Sequence, residues 1–258
     1  MSREERRIRM TVFDLDGTLV QTERLKAVSY ARAAMELCPY TISEEEVLEA
    51  YKDVVGLPRR EVASALVERF DLEEKAGARM EDLGVDTVWQ AYVQIRLDYY
   101  EEMISDPEVI RENRWPYAIR LLEVARGTSC KTALATMSGR ERAIQVLQAL
   151  DLSDAFDFVA TADDVERGKP DPEIYLLVCA ELGVRAEESL AFEDSPSGVE
   201  AALAAGLLCI AVTTPFTREK IHAQNLLEER WIVDEPDDLP GLARRLIEGK
   251  SVHECARD

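Results

Sequence analysis

The sequence predicts an α/β protein built on a doubly wound parallel sheet, with an all-helical block inserted after the first strand. Three observations carry this expectation. A short apolar run, Ile8 to Phe13, ends abruptly in Asp14, Asp16 and Gly17. From Trp115 onward, strand-like apolar runs alternate with helical spacing. Between about residues 21 and 113 no convincing strand occurs. The expected division is 1–20 with 114–258 as an α/β core and 21–113 as a helical insertion, because the first strand belongs to the later sheet.

The elements follow in order. Ile8, Met10, Val12 and Phe13 make a short buried strand. Glu23 to Leu37 places Leu25, Val28, Ala31, Ala34 and Met35 on one helical face, and Pro39 stops it. Ser43 with Glu46 is a capping box that opens a helix through Val47, Leu48 and Tyr51. Val54 to Pro58 breaks it, and Arg59 to Phe70 resumes with Val62, Leu66 and Phe70 as the stripe. Asp71 to Asp86 reads as another helix or a loop. Thr87 to Met103 is a long amphipathic helix carrying Val88, Ala91, Ile95 and Tyr99. Pro116 starts a helix that Gly127 closes. Thereafter come a strand at Thr132–Thr136, a helix at Glu141–Leu150, a strand at Phe156–Thr161 and a helix at Asp171–Leu182 stopped by Gly183. Leu190–Phe192 is a strand ending at Glu193-Asp194, followed by a helix at Gly198–Ala205 and a strand at Leu207–Val212. A short strand at Trp231–Val233 and a helix at Leu239–Ile247 finish the order, with a polar tail after Gly249.

Composition narrows the function. The chain has 258 residues, 47% of them hydrophobic, enough for a sizeable core. No apolar run reaches transmembrane length, and nothing apolar follows the charged start Met1 to Arg7, so a cytoplasmic enzyme is expected. The net charge is -20, which repels nucleic acid and anionic membranes. An anionic substrate therefore needs local cations or a metal. Cys38, Cys130, Cys179, Cys209 and Cys255 are odd in number and contain no CxxC, which points to buried thiols and away from a disulfide framework or structural zinc. With His222 and His253 as the only histidines, His-rich metal sites and a Ser-His-Asp triad are poor fits.

Four strand ends carry polar groups: Asp14/Asp16, Thr136 with Ser138, Lys169 before Pro170, and Glu193/Asp194. In a parallel sheet these edges face one side and can converge. Carboxylates with few histidines suit Mg²⁺. A hydroxyl and an ammonium beside it suit phosphate oxygens, and an aspartate can attack phosphorus to give an aspartyl-phosphate.

These residues carry a resemblance. Asp14-Leu15-Asp16-Gly17-Thr18, Thr136, Gly168-Lys169-Pro170-Asp171-Pro172, and Phe192-Glu193-Asp194-Ser195-Pro196-Ser197-Gly198 resemble the haloacid dehalogenase superfamily, over about residues 10 to 235. The helical insertion resembles the cap of its β-phosphoglucomutase and phosphoglycolate phosphatase branch. The resemblance implies Asp14 as nucleophile and Asp16 as general acid and base. It implies Mg²⁺ on the Asp14 carboxylate, the Asp16 backbone carbonyl and Asp194, with Glu193 supporting the metal site. It also implies Thr136 and Lys169 on the transferring phosphoryl group, with Ser138 a further substrate-binding candidate. Dehalogenases and phosphonate hydrolases lack an acid at the position of Asp16; its presence favours ester chemistry, where a poor alkoxide leaving group needs a proton. Gly56-Leu57-Pro58-Arg59 resembles a cap loop whose arginine binds the far anionic group of the substrate, making Arg59 the first and Arg60 the second candidate. Lys26 stands where mutase-like members carry a histidine, and Gln21 where an acid is common.

The expected function is Mg²⁺-dependent hydrolysis of a small phosphorylated metabolite, a sugar phosphate or a phosphoglycolate-like acid, by a monomer or homodimer. The close alternative is a phosphosugar mutase. A receiver-like signalling domain also uses an acidic cluster and a phosphoaspartate, but the insertion after the first strand and the nucleophile's place on that strand argue against it. A non-catalytic phosphate-binding protein is disfavoured because every catalytic residue type is present.

Overall fold

The computed structural model describes residues 7–55 and 57–249. Gly56, His253, Cys255, the polar tail and most of the charged start lie outside the described residues. The chain divides into two compact units, Met1–Gln21 with Ile110–Asp258, and Thr22–Val109. The divisions fall at 21/22 and 109/110, against the expected 20/21 and 113/114. Local bonding accounts for the second difference: the Gln21 N–H donates to the Asn113 carbonyl, and Val20 bridges Arg114, which ties 113 and 114 to the first turn of the α/β unit.

In the first unit, among the described residues, six strands form one sheet: β1 (Met10–Phe13), β2 (Lys131–Ala135), β3 (Phe158–Ala160), β4 (Ser189–Glu193), β5 (Leu208–Val212) and β6 (Ile232–Val233). Their order is β3-β2-β1-β4-β5-β6, and every neighbouring pair is parallel. The order reverses at β1 and β4, so the crevice at their carboxyl ends is where such a sheet binds ligands. Met10, Val12, Ala133, Ala135 and Ala191 line one face of the sheet, where they are fully buried. The pleat turns Phe13 and Phe192 the other way, and their rings lie 5.1 Å apart.

The second unit is helical: α1 (Thr22–Leu37), α2 (Glu44–Val54), α3 (Arg59–Arg69), α4 (Glu73–Gly77), α5 (Met80–Leu83) and α6 (Val88–Ser105). Ser43 caps α2 through the expected box with Glu46. The stretch 71–86, left open between helix and loop, contains two helices of 5 and 4 residues. A chain this short turns too few times to display a periodicity. Tyr51 and Tyr92 both pack on the Tyr30 ring, and the Tyr92 hydroxyl donates to the Tyr30 carbonyl at 2.8 Å.

α7 (Pro107–Glu112) crosses the division between the units. Returning to the first unit, α8 (Pro116–Arg126) packs on β2, between strands run α9 (Arg140–Ala149), α10 (Glu173–Leu182), α11 (Pro196–Ala204) and α12 (Arg218–Gln224), and α13 (Leu239–Ile247) follows β6 and packs on α8. α10 packs on β2 and β3, and α11 on β4 and β5. Ile174, Tyr175, Val178, Val199 and Ala202 join the core formed by Met10 and Val12. Trp231 belongs to a 3-10 turn and not to β6. The expectation of buried thiols holds for Cys179 and Cys209 only; Cys38 and Cys130 are half-buried because they sit near helix and loop ends.

Candidate active site

The strands fix the site. Phe13 and Phe192 are in register on β1 and β4, and the Asp14 N–H donates to the Phe192 carbonyl at 3.0 Å. Asp14 and Glu193 therefore leave adjacent strands side by side. The chain after Asp14 turns back at once: the Gly17 N–H donates to the Val20 carbonyl at 2.8 Å, and Leu19 to Leu15 at 3.0 Å. Gly17 adopts φ of 90°, and a Cβ there would overlap the Asp194 carboxylate. The glycine serves both the turn and the close approach of Asp194.

Asp14, Glu193 and Asp194 are 6%, 0% and 2% exposed, and each offers a carboxylate oxygen within 4.8 Å of the others. Lys169 reaches into this cluster with a side chain only 4% exposed. Its ammonium donates to Asp14 Oδ1 at 2.7 Å, Glu193 Oε1 at 2.6 Å and the Ala135 carbonyl at 2.9 Å. Three protons meet three acceptors, so the charge is oriented as well as paired. Glu193 Oε1 also accepts from the Tyr175 hydroxyl. The Glu193 side chain lies against Gly198 in the first turn of α11, where a Cβ would overlap it.

The electrostatics follow from burial. Desolvation pushes the Asp14 carboxyl up to about 8; Lys169 opposes this, and the charges of Glu193 and Asp16 add to it. Burial would lower the Lys169 ammonium, but the two carboxylates it touches outweigh that and raise it. Burial, then Glu193, raises the Tyr175 phenol.

A second group forms beside the first. Asp16 is half-buried, and its Oδ2 accepts from Ser138 Oγ at 2.6 Å and Thr136 Oγ1 at 3.4 Å. The Ser138 N–H in turn donates to Thr136 Oγ1 at 3.0 Å. Asp14, Asp16, Thr136, Ser138, Lys169, Glu193 and Asp194 thus all gather at one sheet edge. Ser138, expected as a substrate contact, here donates to Asp16. The Asp16 carboxylate is not part of the group formed by Asp14, Glu193 and Asp194. Arg59 and Arg60 lie in the helical unit, exposed in the first turn of α3.

The oxygen donors suit a hard cation. Three buried carboxyl groups with oxygens within 4.8 Å of one another form a donor set of the kind a dication takes. The Tyr117 hydroxyl is buried without a hydrogen-bond partner and is raised by burial and then by the charge of Asp194, so an unsatisfied donor stands near the same acid.

Tyr175, Tyr117 and Gly198 were not singled out from the sequence, although Gly198 sits inside a quoted motif and Tyr175 follows another by three residues. The helical unit adds Arg96, 6% exposed, with its guanidinium carbon 4.9 Å from the Tyr30 ring centroid and 5.4 Å from that of Tyr100. Its Nε and Nη1 are buried without hydrogen-bond partners. An arginine beside the apolar stripe of a helix was the available signal.

The family model described as haloacid dehalogenase-like hydrolase matches residues 8–206, and the chain belongs to that family. It is 33% identical over 197 residues to the phosphorylated carbohydrates phosphatase of Thermotoga maritima, covering 76% of this chain and 81% of the relative. It is 29% identical over 236 residues to the phosphoglycolate phosphatase of Salmonella typhi, covering 90% and 91%. A crystal structure from Thermotoga maritima, solved as a candidate beta-phosphoglucomutase, superposes with a TM-score of 0.68 at 29% identity, covering 92% of this chain and 99% of the other. No helix among the described residues is long and apolar enough to cross a membrane.

Proposed function

We propose that the chain is a Mg²⁺-dependent phosphatase of a small phosphorylated metabolite, a sugar phosphate or phosphoglycolate-like acid, acting through an aspartyl-phosphate on Asp14. The carrying observation is the buried pair of Asp14 and Lys169 beside Asp194, with a second acid, Asp16, held two residues further on. Asp14, Asp194 and the Asp16 backbone carbonyl would hold the metal, with Glu193 supporting it. When bound, the cation lowers the cost of ionising Asp14 and offsets charge on the phosphoryl oxygens.

The protein's own groups perform the displacement. A carboxylate oxygen of Asp14 attacks phosphorus as the bond to the leaving oxygen breaks. Asp16 gives its proton to that oxygen. Asp16 then removes a proton from water, which attacks the same phosphorus and returns Asp14 as a carboxylate with inorganic phosphate released. Lys169 keeps Asp14 oriented throughout, and Thr136 donates to the phosphoryl group. Glu193 and Tyr175 hold Lys169 in turn.

Selection among metabolites we assign to the helical unit, through Arg59 and Arg60. The relatives acting on phosphorylated carbohydrates and phosphoglycolate favour the proposed substrate class. A phosphosugar mutase is the second reading, favoured by the candidate beta-phosphoglucomutase of similar fold; it differs in passing the phosphoryl group to a sugar hydroxyl. We further propose a cytoplasmic setting and a monomeric or homodimeric state. Phosphate release from sugar phosphates, phosphoglycolate and nucleotides, with Mg²⁺ or EDTA, tests the reading. Release that needs Mg²⁺ supports it; conversion of β-glucose 1-phosphate to glucose 6-phosphate without release moves the assignment to the mutase.

A further inference from the structure

We propose that Ser138 is a positioning residue for Asp16 and not a contact of the substrate phosphate, so that the paired hydroxyls Thr136 and Ser138 divide the labour of the site. The inference rests on the reading of Asp16 as general acid. A hydroxyl has a single proton to donate. Ser138 gives its proton to Asp16 Oδ2 at 2.6 Å, a short hydrogen bond. Thr136 points its proton at the same oxygen from 3.4 Å, which is long and weak. The Thr136 oxygen is meanwhile fixed by the Ser138 N–H at 3.0 Å. Thr136 is fully buried and Ser138 half-buried at the mouth of the same edge.

A phosphoryl oxygen arriving at this edge competes for these two protons. It takes the loosely held one, from Thr136, at little cost. Taking the proton of Ser138 would release Asp16 at the moment its carboxyl must face the leaving oxygen. With Ser138 on Oδ2, the carboxyl group keeps one orientation and Oδ1 carries the proton that is transferred. A mispositioned acid loses part of the factor of about 10²–10⁴ that general acid catalysis supplies.

The test is the dependence of kcat/KM on leaving group, since this ratio reports the steps up to phosphoryl transfer onto Asp14. The substrates are phosphoglycolate, phenyl phosphate and p-nitrophenyl phosphate; the last leaves without help from a proton. Ser138→Ala is expected to lose about tenfold or more on phosphoglycolate, less on phenyl phosphate, and to stay within about twofold on p-nitrophenyl phosphate. Thr136→Ala should lose the same factor on all three, as the loss of a phosphate contact does. An equal loss across the series in Ser138→Ala overturns the inference and returns Ser138 to the substrate. Asp16→Asn separates this from failure of the underlying reading, because it should show the same graded loss at full size, about a hundredfold on phosphoglycolate. A flat response in Asp16→Asn, or no cleavage of any ester by the unaltered protein, overturns the role of Asp16 and the inference with it.

Discussion

Replacing Gly198 by alanine should destabilise the protein, although helix propensity alone predicts a gain. Gly198 lies in the first turn of α11, where glycine costs up to about 0.8–1 kcal/mol relative to alanine. The added Cβ would overlap the carboxylate of Glu193. On a surface, a glutamate would swing aside. Here Glu193 is fully buried, and Oε1 is held by Lys169 at 2.6 Å and by the Tyr175 hydroxyl. Moving it costs an overpacking penalty of about 1–3 kcal/mol and weakens hydrogen bonds to a charge worth about 1.5–3 kcal/mol each. The opposing terms leave a net loss of about 2 kcal/mol, or a fall in Tm of about 4–8 °C at this chain length. Differential scanning fluorimetry measures it. In a Glu193→Ala background the obstruction is gone, and the same glycine replacement should be neutral or raise Tm. An unchanged or higher Tm for Gly198→Ala in the native background would refute the packing of Glu193 against α11.

Other predictions concern charge and metal. Because burial lifts Asp14 from 3.8 to about 8 in the folded metal-free protein, the folded state binds this proton more tightly than the unfolded one. The corresponding stability is complete below pH 3.8 and is lost as pH rises through about 8. Metal-free protein should therefore lose Tm over that window, and Asp14→Asn should flatten the loss in the same fluorimetric scan. Mg²⁺ should bind with release of a proton below about pH 8, seen by calorimetry in buffers of different ionisation heat; no buffer dependence would count against Asp14 as a ligand. Saturating Mg²⁺ at about 100 times Kd should add about 2.7 kcal/mol of stability, and EDTA should remove both that and turnover. His222 Nε2 donates to the Asp234 carboxylate at 3.1 Å, and this bond raises the imidazole above its ordinary value of 6.5. Its contribution to stability is present below that value and lost as pH rises through the raised one; an NMR titration should show the rise, and Asp234→Asn should reduce it, leaving the part owed to Glu229.

The parts of this account that were legible in the sequence are those with a pattern long enough to read. Strand β1 and its acids, the capping box of α2, the glycine-stopped α10 and the strand ending at Glu193 each carry a local signature. α7 and α12 went unread because 6 and 7 residues complete scarcely two turns. At the site, sequence order identified which residues come together, since a parallel sheet gathers its strand ends. It did not reveal how they partner. Whether Ser138 faces the substrate or Asp16, and whether Tyr175 fills the core or caps Glu193, depends on rotamers set by packing. Arg96 was hidden for the same reason, as only the tertiary structure shows that a charged residue of α6 is buried against Tyr30.

The central claim is that phosphorus passes through Asp14. The direct measurement is a rapid acid quench of the Mg²⁺-loaded protein during turnover of its best phosphorylated substrate, followed by mass spectrometry of the peptide spanning Asp14. A phosphoryl group on Asp14 in the native protein, absent from Asp14→Asn, is the expected result. Steady turnover with no phosphorylated Asp14 peptide, or turnover near the native rate in Asp14→Asn, would contradict the account.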